Sequence, residues 1–382
     1  MPQMPVPKIA LFSGGSACRS INMALARKGL DITRIVPAWD SGGSSKTIRQ
    51  SFDILSVGDI RQALMTMAHG EGRAGDVVKV CNTRLSDGAD PRDAFCEFEF
   101  YAEGRHPLLE RMSPGLRAAI LNYLNLFRSR AGENFDYRNG SIGNFILTGA
   151  YLAHNKDINT AIFVFRKICG IAGNVWPASL QNDIELRAVL NNGKQLPQQH
   201  LITTMGEADS AAGIERIALI AGKASAGIAA NGAVVEAVQK ADLIVFGPGS
   251  FYTSILPHLL IDGVAEAVAG NIRAGKVFVG NILQCRETRG CDLADLLGSF
   301  AATWRKRTGG TAVPLTHVVA NRQFLPFEKR LGSTPYVPNG AIREMCADLG
   351  AELLLGEYED AWQRGQHDGE AVADILTGLL PA

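Results

Sequence analysis

Short apolar runs alternate with amphipathic stretches along most of the chain, and glycine follows most of the apolar runs. The first two runs, Lys8–Ser13 and Ile32–Trp39, flank a helical stretch that closes at Gly29. Strand, turn, helix and strand at this spacing are typical of a βαβ unit, in which the two strands are parallel and the crossover is right-handed.

Four later runs repeat this pattern, at residues 214–221, 242–247, 276–282 and 316–321. They are nearly continuous in Val, Ile and Leu, and helical stretches separate them. Strands of this composition are typical of a parallel sheet that is covered on both faces. The pattern predicts an α/β protein with a Rossmann-like, doubly wound and mainly parallel sheet.

Two excursions interrupt the predicted sheet. Residues 113–155 are mainly helical in pattern, and residues 184–204 alternate as a β-hairpin with Asn192-Gly193 at its bend. Asn-Gly between two strand-like runs is a strong hairpin signal. We therefore predict one elaborated domain over residues 8–365, with a helical tail over residues 366–382.

Composition and charge exclude several classes of protein. The 382 residues include 38 Lys and Arg and 38 Asp and Glu, without a basic run, so the sequence does not favour nucleic-acid binding. No run reaches the roughly 18 apolar residues of a membrane span, and no signal-peptide pattern is present. Seven cysteines without a CxxC pair indicate reduced thiols in a cytoplasmic protein and do not favour a zinc site.

Glycine and hydroxyl residues gather where the predicted strands end. In open α/β sheets, ligands bind beyond the carboxyl ends of the strands. Glycine allows close approach of the backbone, and consecutive N–H groups at a helix start hold anions. The candidate phosphate- or nucleotide-binding residues are Gly14, Gly15, Ser16, Gly42, Gly43, Ser44, Ser45, Asn144, Gly247, Pro248, Gly249, Ser250, Tyr252, Thr253, Ser254 and Asn281.

Other interpretations of these loops stay open. Each glycine pair is also compatible with a tight turn that binds nothing, and Asp40 is also compatible with a helix cap. The first loop reads GGSACR, which is neither a Walker A loop nor GxGxxG, and no GxSxG elbow occurs. An NAD(P) dehydrogenase remains a remote alternative, because Asp40 lies near the acidic position that follows a second strand in such enzymes.

Six motifs, taken together and in this order, resemble one family. They resemble the 2-phospho-L-lactate transferase (CofD-like) superfamily, and more closely its YvcK-like branch, the gluconeogenesis factors. The motifs are SGGSA at 13–17, DSGGSSKTIR at 40–49, VGDIR at 57–61, NGSIGN at 139–144, ADLIVFGPGSFYTSILPHLL at 241–260 and GNILQCRET at 280–288.

The resemblance implies a nucleotide-diphosphate-linked small molecule as the ligand. The transferase branch moves a phospholactyl group from a GDP-linked donor to a deazaflavin with Mg²⁺, which makes a phosphoryl-linked group transferase the first expectation. The YvcK-like branch resembles UDP-sugar-binding regulators of carbon or cell-wall metabolism, so a non-catalytic binder is the alternative. A homodimer is among the states that the resemblance allows.

The motifs also depart from the family pattern. Ser41 replaces the second Asp of the family, so Asp40 is the remaining candidate for metal and catalytic contact, and the expectation of Mg²⁺ is weaker. The resemblance assigns Arg49, Asp59 and Arg61 to the substrate, with a solvated set of ion pairs as the alternative. Residues 70–112 receive no assignment.

Overall fold

Ten strands form two sheets in the computed structural model, which describes residues 6–16, 18–68, 74–88, 90–222, 227–310, 312–324 and 334–381. The strands are β1 (Lys8–Phe12), β2 (Asp31–Val36), β3 (Asn174–Pro177), β4 (Ile184–Leu190), β5 (Gln195–Leu196), β6 (Ile214–Ala221), β7 (Leu243–Phe246), β8 (Gly275–Val279), β9 (His317–Asn321) and β10 (Glu352–Gly356).

Sixteen α-helices are present in the described ranges, and none of them is both long and apolar enough to cross a membrane. They are α1 (Arg19–Arg27), α2 (Gly43–Phe52), α3 (Gly58–Met67), α4 (Ala74–Asn82), α5 (Pro91–Ala102), α6 (Pro107–Glu110), α7 (Pro114–Ala131), α8 (Ile142–Ala153), α9 (Ile158–Cys169), α10 (Gln199–Thr203), α11 (Glu207–Ala212), α12 (Gly232–Lys240), α13 (Val264–Gly270), α14 (Leu293–Thr308), α15 (Gly340–Leu349) and α16 (Gly369–Gly378).

The larger sheet has seven parallel strands in the order β10-β9-β8-β7-β1-β2-β3. The chain leaves β1 toward β3, returns to β7 on the other side of β1, and continues from there to β10. The order therefore reverses between β1 and β7, where Ile9 is paired with both Ile32 and Leu243. The prediction of a doubly wound parallel sheet is confirmed, and the loops after β1 and β7 are neighbours at its switch point.

The strands beside the switch point are apolar because both of their faces are covered. On one face Phe12 stacks on Phe246 with ring centroids 4.8 Å apart. On the other face Leu11 and Val245 pack in a cluster with residues of α1 and α16. The residues that we predicted as a helical tail thus form α16, which lies against α1 and contributes the fully buried Leu376 to this cluster.

The helical region covers more of the chain than the predicted stretch at residues 113–155. Helices α4 to α9 extend from Ala74 to Cys169, and they include the stretch before residue 113 that the sequence left unassigned. Phe127 of α7 is fully buried, stacks on Phe145 of α8 at 4.5 Å, and contacts Phe98 of α5 at 5.9 Å. The aromatic residues of α5 therefore belong to the core of this helical layer.

Two predicted strands form, but one differs from the prediction in its pairing and the other in its length. Residues 214–221 form β6, which pairs antiparallel with β4 in a separate sheet of order β5-β4-β6 and has no place in the parallel sheet. The hairpin bends at Asn192-Gly193 as predicted, but its second strand is only Gln195–Leu196, and α10 follows. Pro197 explains this early end, because proline has no N–H with which to continue the ladder.

Candidate functional site at the switch point

A buried arginine shapes the loop after β1. Arg34, on β2, is fully buried, and its guanidinium donates to the Ser13 hydroxyl at 2.8 Å and to the carbonyls of Gly14 and Gly15. It also donates to the hydroxyl of Thr66 on α3. Burial lowers the pKa of Arg34, and the nearby Cys18 and Asp59 oppose this effect. The conformation of this loop therefore depends on Arg34, a residue of β2 that lies outside the SGGSA motif.

The orientation of these carbonyls decides where the loop amides point. The C=O and N–H of one trans peptide point in opposite directions. Since Gly14 and Gly15 turn their carbonyls toward Arg34, the N–H groups of Gly15 and Ser16 point away from it. The Gly15 N–H donates to the carboxylate of Asp59. A Cβ on Gly15 would lie 2.6 Å from Asp59 Oδ1, so this approach requires glycine.

Asp40 and Asp59 form a pair of carboxylates beside this loop. Asp40 accepts from the Gly42 N–H at 3.0 Å and from the Ser56 hydroxyl at 3.3 Å. Gly58 lies so close that a Cβ there would overlap an Asp40 carboxylate oxygen. Burial raises the pKa of the half-buried Asp59, and the charge of Asp40 raises it further. Asp59 therefore places a second carboxylate near Asp40, although Ser41 replaces the second Asp of the family motif.

The motifs at 40–49, 57–61 and 139–144 meet in one network. Arg61 donates to Asn144 Oδ1 at 3.0 Å, and Asn144 donates to the Ser44 hydroxyl at 3.0 Å. Ser45 Oγ lies beside Gly58. Arg61 is buried, and burial together with the charge of Arg84 lowers its pKa to about 10. The predicted residues Ser44, Ser45, Asp59, Arg61 and Asn144 are thus brought together, and Arg84 is a neighbour that the sequence did not reveal.

Asn281 holds the loop after β7. Its side-chain oxygen accepts from the Gly249 N–H at 3.0 Å, and its amide donates to the Gly249 carbonyl at 2.8 Å. Cys18 donates to the carbonyl of Pro248 at 3.3 Å, and burial raises the pKa of this thiol to about 11, so it stays a neutral donor. The two glycine loops of the switch point are therefore connected directly.

Glu287 closes the helix that follows this loop. Its carboxylate accepts from the N–H groups of Tyr252 and Thr253, both at 3.1 Å, and from the Thr253 hydroxyl at 2.6 Å. These donors start the π-helical turn Phe251–Ile255, which a 3-10 helix at Leu256–Leu260 continues. The groups that we predicted as phosphate donors at Tyr252 and Thr253 are therefore engaged by a carboxylate of the protein itself.

A cleft of about 390 Å³ opens between the two loops. At one side lies the N-terminus of α1, which has no capping side chain and no acidic residue in its first turn. Of the described residues that line the cleft, only Arg19 carries a charge at neutral pH. The lining residues are Ser16, Cys18, Arg19, Ser20, Ile21, Pro248, Gly249, Asn281, Ile282, Leu283, Gly365, Gln366 and His367. The predicted residues Ser16, Pro248, Gly249 and Asn281 thus share one cavity.

Sequence patterns did not reveal the contribution of the C-terminal segment to the cleft. His367 Nε2 donates to the carbonyl of Gly280 at 3.0 Å, and Ser20 donates to the His367 carbonyl at 2.9 Å. Burial lowers the pKa of His367 to about 4, so its imidazole is neutral and Nδ1 is its acceptor nitrogen. The segment HDGEAVADIL at residues 367–376 is far from Gly280 along the chain, and the sequence gave no sign of this position.

Arg49 does not reach this cleft. Its guanidinium donates to the backbone carbonyls of Asp40, Asn182 and Ile184, and with Ser41 it lines a separate cavity of about 180 Å³. Arg49 therefore joins the loop after β2 to the smaller sheet. Ser254, by contrast, lies directly beside Gly14 at the switch point.

The two carboxylates fit a divalent cation that a ligand brings with it. No cluster of three or more His, Cys, Asp or Glu side chains occurs in the described part of the chain. Mg²⁺ at phosphate sites is commonly held by one or two carboxylates together with phosphate oxygens and water. Asp40 and Asp59 would supply such a pair, because each accepts few protein donors and so keeps lone pairs for a cation.

Strand order, switch-point cleft and glycine loops define a Rossmann-like α/β protein. A profile of the family described as 2-phospho-L-lactate transferase CofD matches residues 9–347. The chain belongs to this family, as the motifs indicated.

Relatives within the family carry another name. The gluconeogenesis factor of Listeria innocua is 28% identical over 390 residues, covering 98% of this chain and 96% of the relative. That of Bacillus subtilis is 28% identical over 277 residues, covering 72% and 68% respectively. A crystal structure of a UPF0052 protein from Bacillus halodurans matches 98% of this chain and 100% of its own, with a TM-score of 0.70 and 23% identity, which supports the fold.

Proposed function

We propose that this protein binds a nucleoside-diphosphate-linked small molecule in the switch-point cleft and, with Mg²⁺, transfers a phosphorus-containing group from it. The observation that carries the proposal is the N-terminus of α1. A cation in the first turn opposes the helix dipole, and acidic residues are favoured there. Here Arg19 lies in that turn, none of whose residues is acidic, and it lines the cleft together with Ser16 and Ser20. This arrangement supports an anionic ligand.

Different residues of the chain would bind the diphosphate, hold the metal ion and stabilise the charge of the transferred group. The first-turn amides of α1, which have no partners within the helix, bind and orient the diphosphate together with Arg19. Asp40 and Asp59 would hold Mg²⁺, which when bound supplies positive charge to the phosphate oxygens. Arg61 lies near these carboxylates and Arg84 lies near Arg61, and both favour negative charge on the transferred group. Group transfer then depends on alignment of an acceptor hydroxyl with the phosphorus.

The first experiment measures binding. Thermal shifts with GDP, UDP-sugars and NAD(P), with and without Mg²⁺, identify the ligand class, since saturation at about 100 times Kd stabilises a protein by roughly 2.7 kcal/mol. We expect Arg19→Ala to weaken diphosphate binding at least tenfold. The control is Arg130→Ala, an exposed site on α7 that removes the same charge elsewhere. Equal binding by both variants would refute the role of α1.

A second experiment separates a transferase from a regulator. Release of GMP or UMP from a bound donor, dependent on Mg²⁺ and lost in Asp40→Asn, supports the transferase. Binding without turnover, and tolerance of Asp40→Asn, supports a non-catalytic regulator. A protein that responds to NAD(P) alone would contradict both.

A further inference from the structure

The loop between β10 and α16 is a closed hairpin with fixed ends. Glu359 and His367 pair across its base. The Glu359 carboxylate accepts from Arg364 Nε and from the Gly365 N–H, each at 2.9 Å. Asp360 Oδ1 accepts from the Trp362 N–H at 2.7 Å, which fixes the tip. Since each limb is held by hydrogen bonds, the position of the tip follows from the position of the base.

The returning limb of this hairpin is a wall of the switch-point cleft. Gly365, Gln366 and His367 all line the cavity. Gly365 is packed against Leu283, another lining residue, so closely that a Cβ would overlap its side chain. The tip residue Trp362 comes three residues before Gly365 and so lies next in sequence to the limb that lines the cleft.

Trp362 at this tip is 95% exposed. Trp39 and Trp304, by comparison, are fully buried. An indole ring offers a large apolar surface, and its exposure to water is unfavourable unless something covers it. An uncovered aromatic ring at the tip of a hairpin that lines a cleft is therefore a candidate contact for the ligand itself.

The cleft is lined by groups of two chemical kinds. Ser16, Arg19 and Ser20 present hydroxyls, a helix N-terminus and a positive charge. Ile282 and Leu283 present apolar surface, and Gln366 presents an amide that is able to donate and accept. A nucleoside diphosphate has the same division, between an anionic diphosphate and a flat base with a hydrogen-bonding edge.

We propose that the hairpin over residues 359–367 forms a nucleobase subsite in which Trp362 stacks on the base, while the diphosphate lies at the N-terminus of α1. This inference rests on the proposed function. Stacking of a base on an aromatic side chain tolerates any base, so Trp362 contributes affinity, and Gln366 is the residue that reads the edge of the base.

The test compares ligands with and without a base. Affinities of GDP, UDP and pyrophosphate, each with Mg²⁺, are measured for the wild type, Trp362→Ala, Trp362→Phe and the control Ile272→Ala. Ile272 is also exposed, at 86%, but it precedes β8 at the amino-terminal edge of the sheet. We expect Trp362→Ala to weaken GDP and UDP by roughly 5- to 150-fold. Pyrophosphate binding should stay unchanged, and Trp362→Phe should retain most of the affinity.

Fluorescence supplies an independent readout. Saturating GDP or UDP should protect the exposed indole from acrylamide quenching in the wild type, whereas pyrophosphate should not. If GDP and UDP bind the wild type and Trp362→Ala equally, the base subsite is overturned while the diphosphate site stands. If the wild type binds none of the three, the proposed function fails and the base subsite fails with it.

Discussion

Glu287 caps the helix that follows the GPGS turn. The variant Glu287→Gln tests whether burial or hydrogen bonding decides the protonation state of this side chain. Glu287 is only 3% exposed and accepts three hydrogen bonds from Tyr252 and Thr253. Burial raises its pKa from 4.5 to about 7, although these hydrogen bonds lower it. Glutamine keeps the shape and an acceptor oxygen but does not titrate, so the substitution isolates the carboxylate charge.

The magnitude follows from the two pKa values of Glu287. Below pH 4.5 the carboxyl is protonated in the folded and unfolded states alike. Between pH 4.5 and about 7 the folded state keeps a proton that the unfolded chain releases, so stability falls as the pH rises. At about 1.36 kcal/mol per pH unit, the loss for wild type reaches roughly 3 kcal/mol above pH 7.

The assay is urea denaturation of wild type and Glu287→Gln from pH 5 to pH 8. We expect the variant to gain stability relative to wild type as the pH rises, by up to roughly 3 kcal/mol. Burial lowers the pKa values of His258 and His367 to about 4, which gives an opposite slope below pH 6.5, but both contribute equally to the two proteins and cancel in the difference. The exposed control Glu344→Gln should show no such trend.

The opposite trend would refute this reasoning. If wild type becomes more stable than Glu287→Gln as the pH rises, the three donors stabilise the carboxylate by more than burial costs, and Glu287 is ionised at neutral pH. The same result would mean that the start of the π-helical turn carries a full negative charge beside the cleft.

Two further predictions concern the core and the loop after β7. Phe127→Ala should lower the free energy of unfolding by about 3–5 kcal/mol because it empties a fully buried site, whereas Phe163→Ala, at a half-exposed ring, should change it by less than about 1 kcal/mol in the same urea titration. Asn281→Ala removes both hydrogen bonds to Gly249 and should weaken GDP or UDP binding at least tenfold in calorimetry; unchanged affinity would show that the loop is held without it.

The parallel sheet could be predicted from sequence because its central strands carry a strong local signal. β1, β2, β7, β8 and β9 are apolar runs with glycine or polar residues at their ends. β3 has only four residues and ends in Pro177, and β10 is one five-residue run next to an irregular segment, so neither carries a periodic pattern of sufficient length. Local pattern also could not tell β6 from a strand of the parallel sheet, because a strand's partner is set by contacts distant in sequence.

The site was predictable in its loops but not in the contacts that position them. Glycine loops at strand ends meet at a switch point by the geometry of parallel sheets, so Gly14 and Gly249 could be assigned together. Arg34 and His367 could not, because their roles depend on contacts across 20 and 87 residues of sequence. Glu287 belongs to the motif at 280–288, but its side chain lies inside the protein as a cap, which the motif alone did not reveal.

Two helix starts lie at the switch point, and the partners of their N–H groups indicate which one serves the ligand. The N–H groups of Tyr252 and Thr253 already donate to Glu287, whereas the first turn of α1 contains Arg19 and no acidic residue. If the diphosphate takes at α1 the place that Glu287 takes at the other helix, binding should slow hydrogen exchange of the amides of Ser20 and Ile21. The amides of Tyr252 and Thr253 should be protected with or without ligand. Protection that appears at Tyr252 and Thr253 only on binding would show that the phosphate displaces Glu287, and the two helix starts would exchange roles.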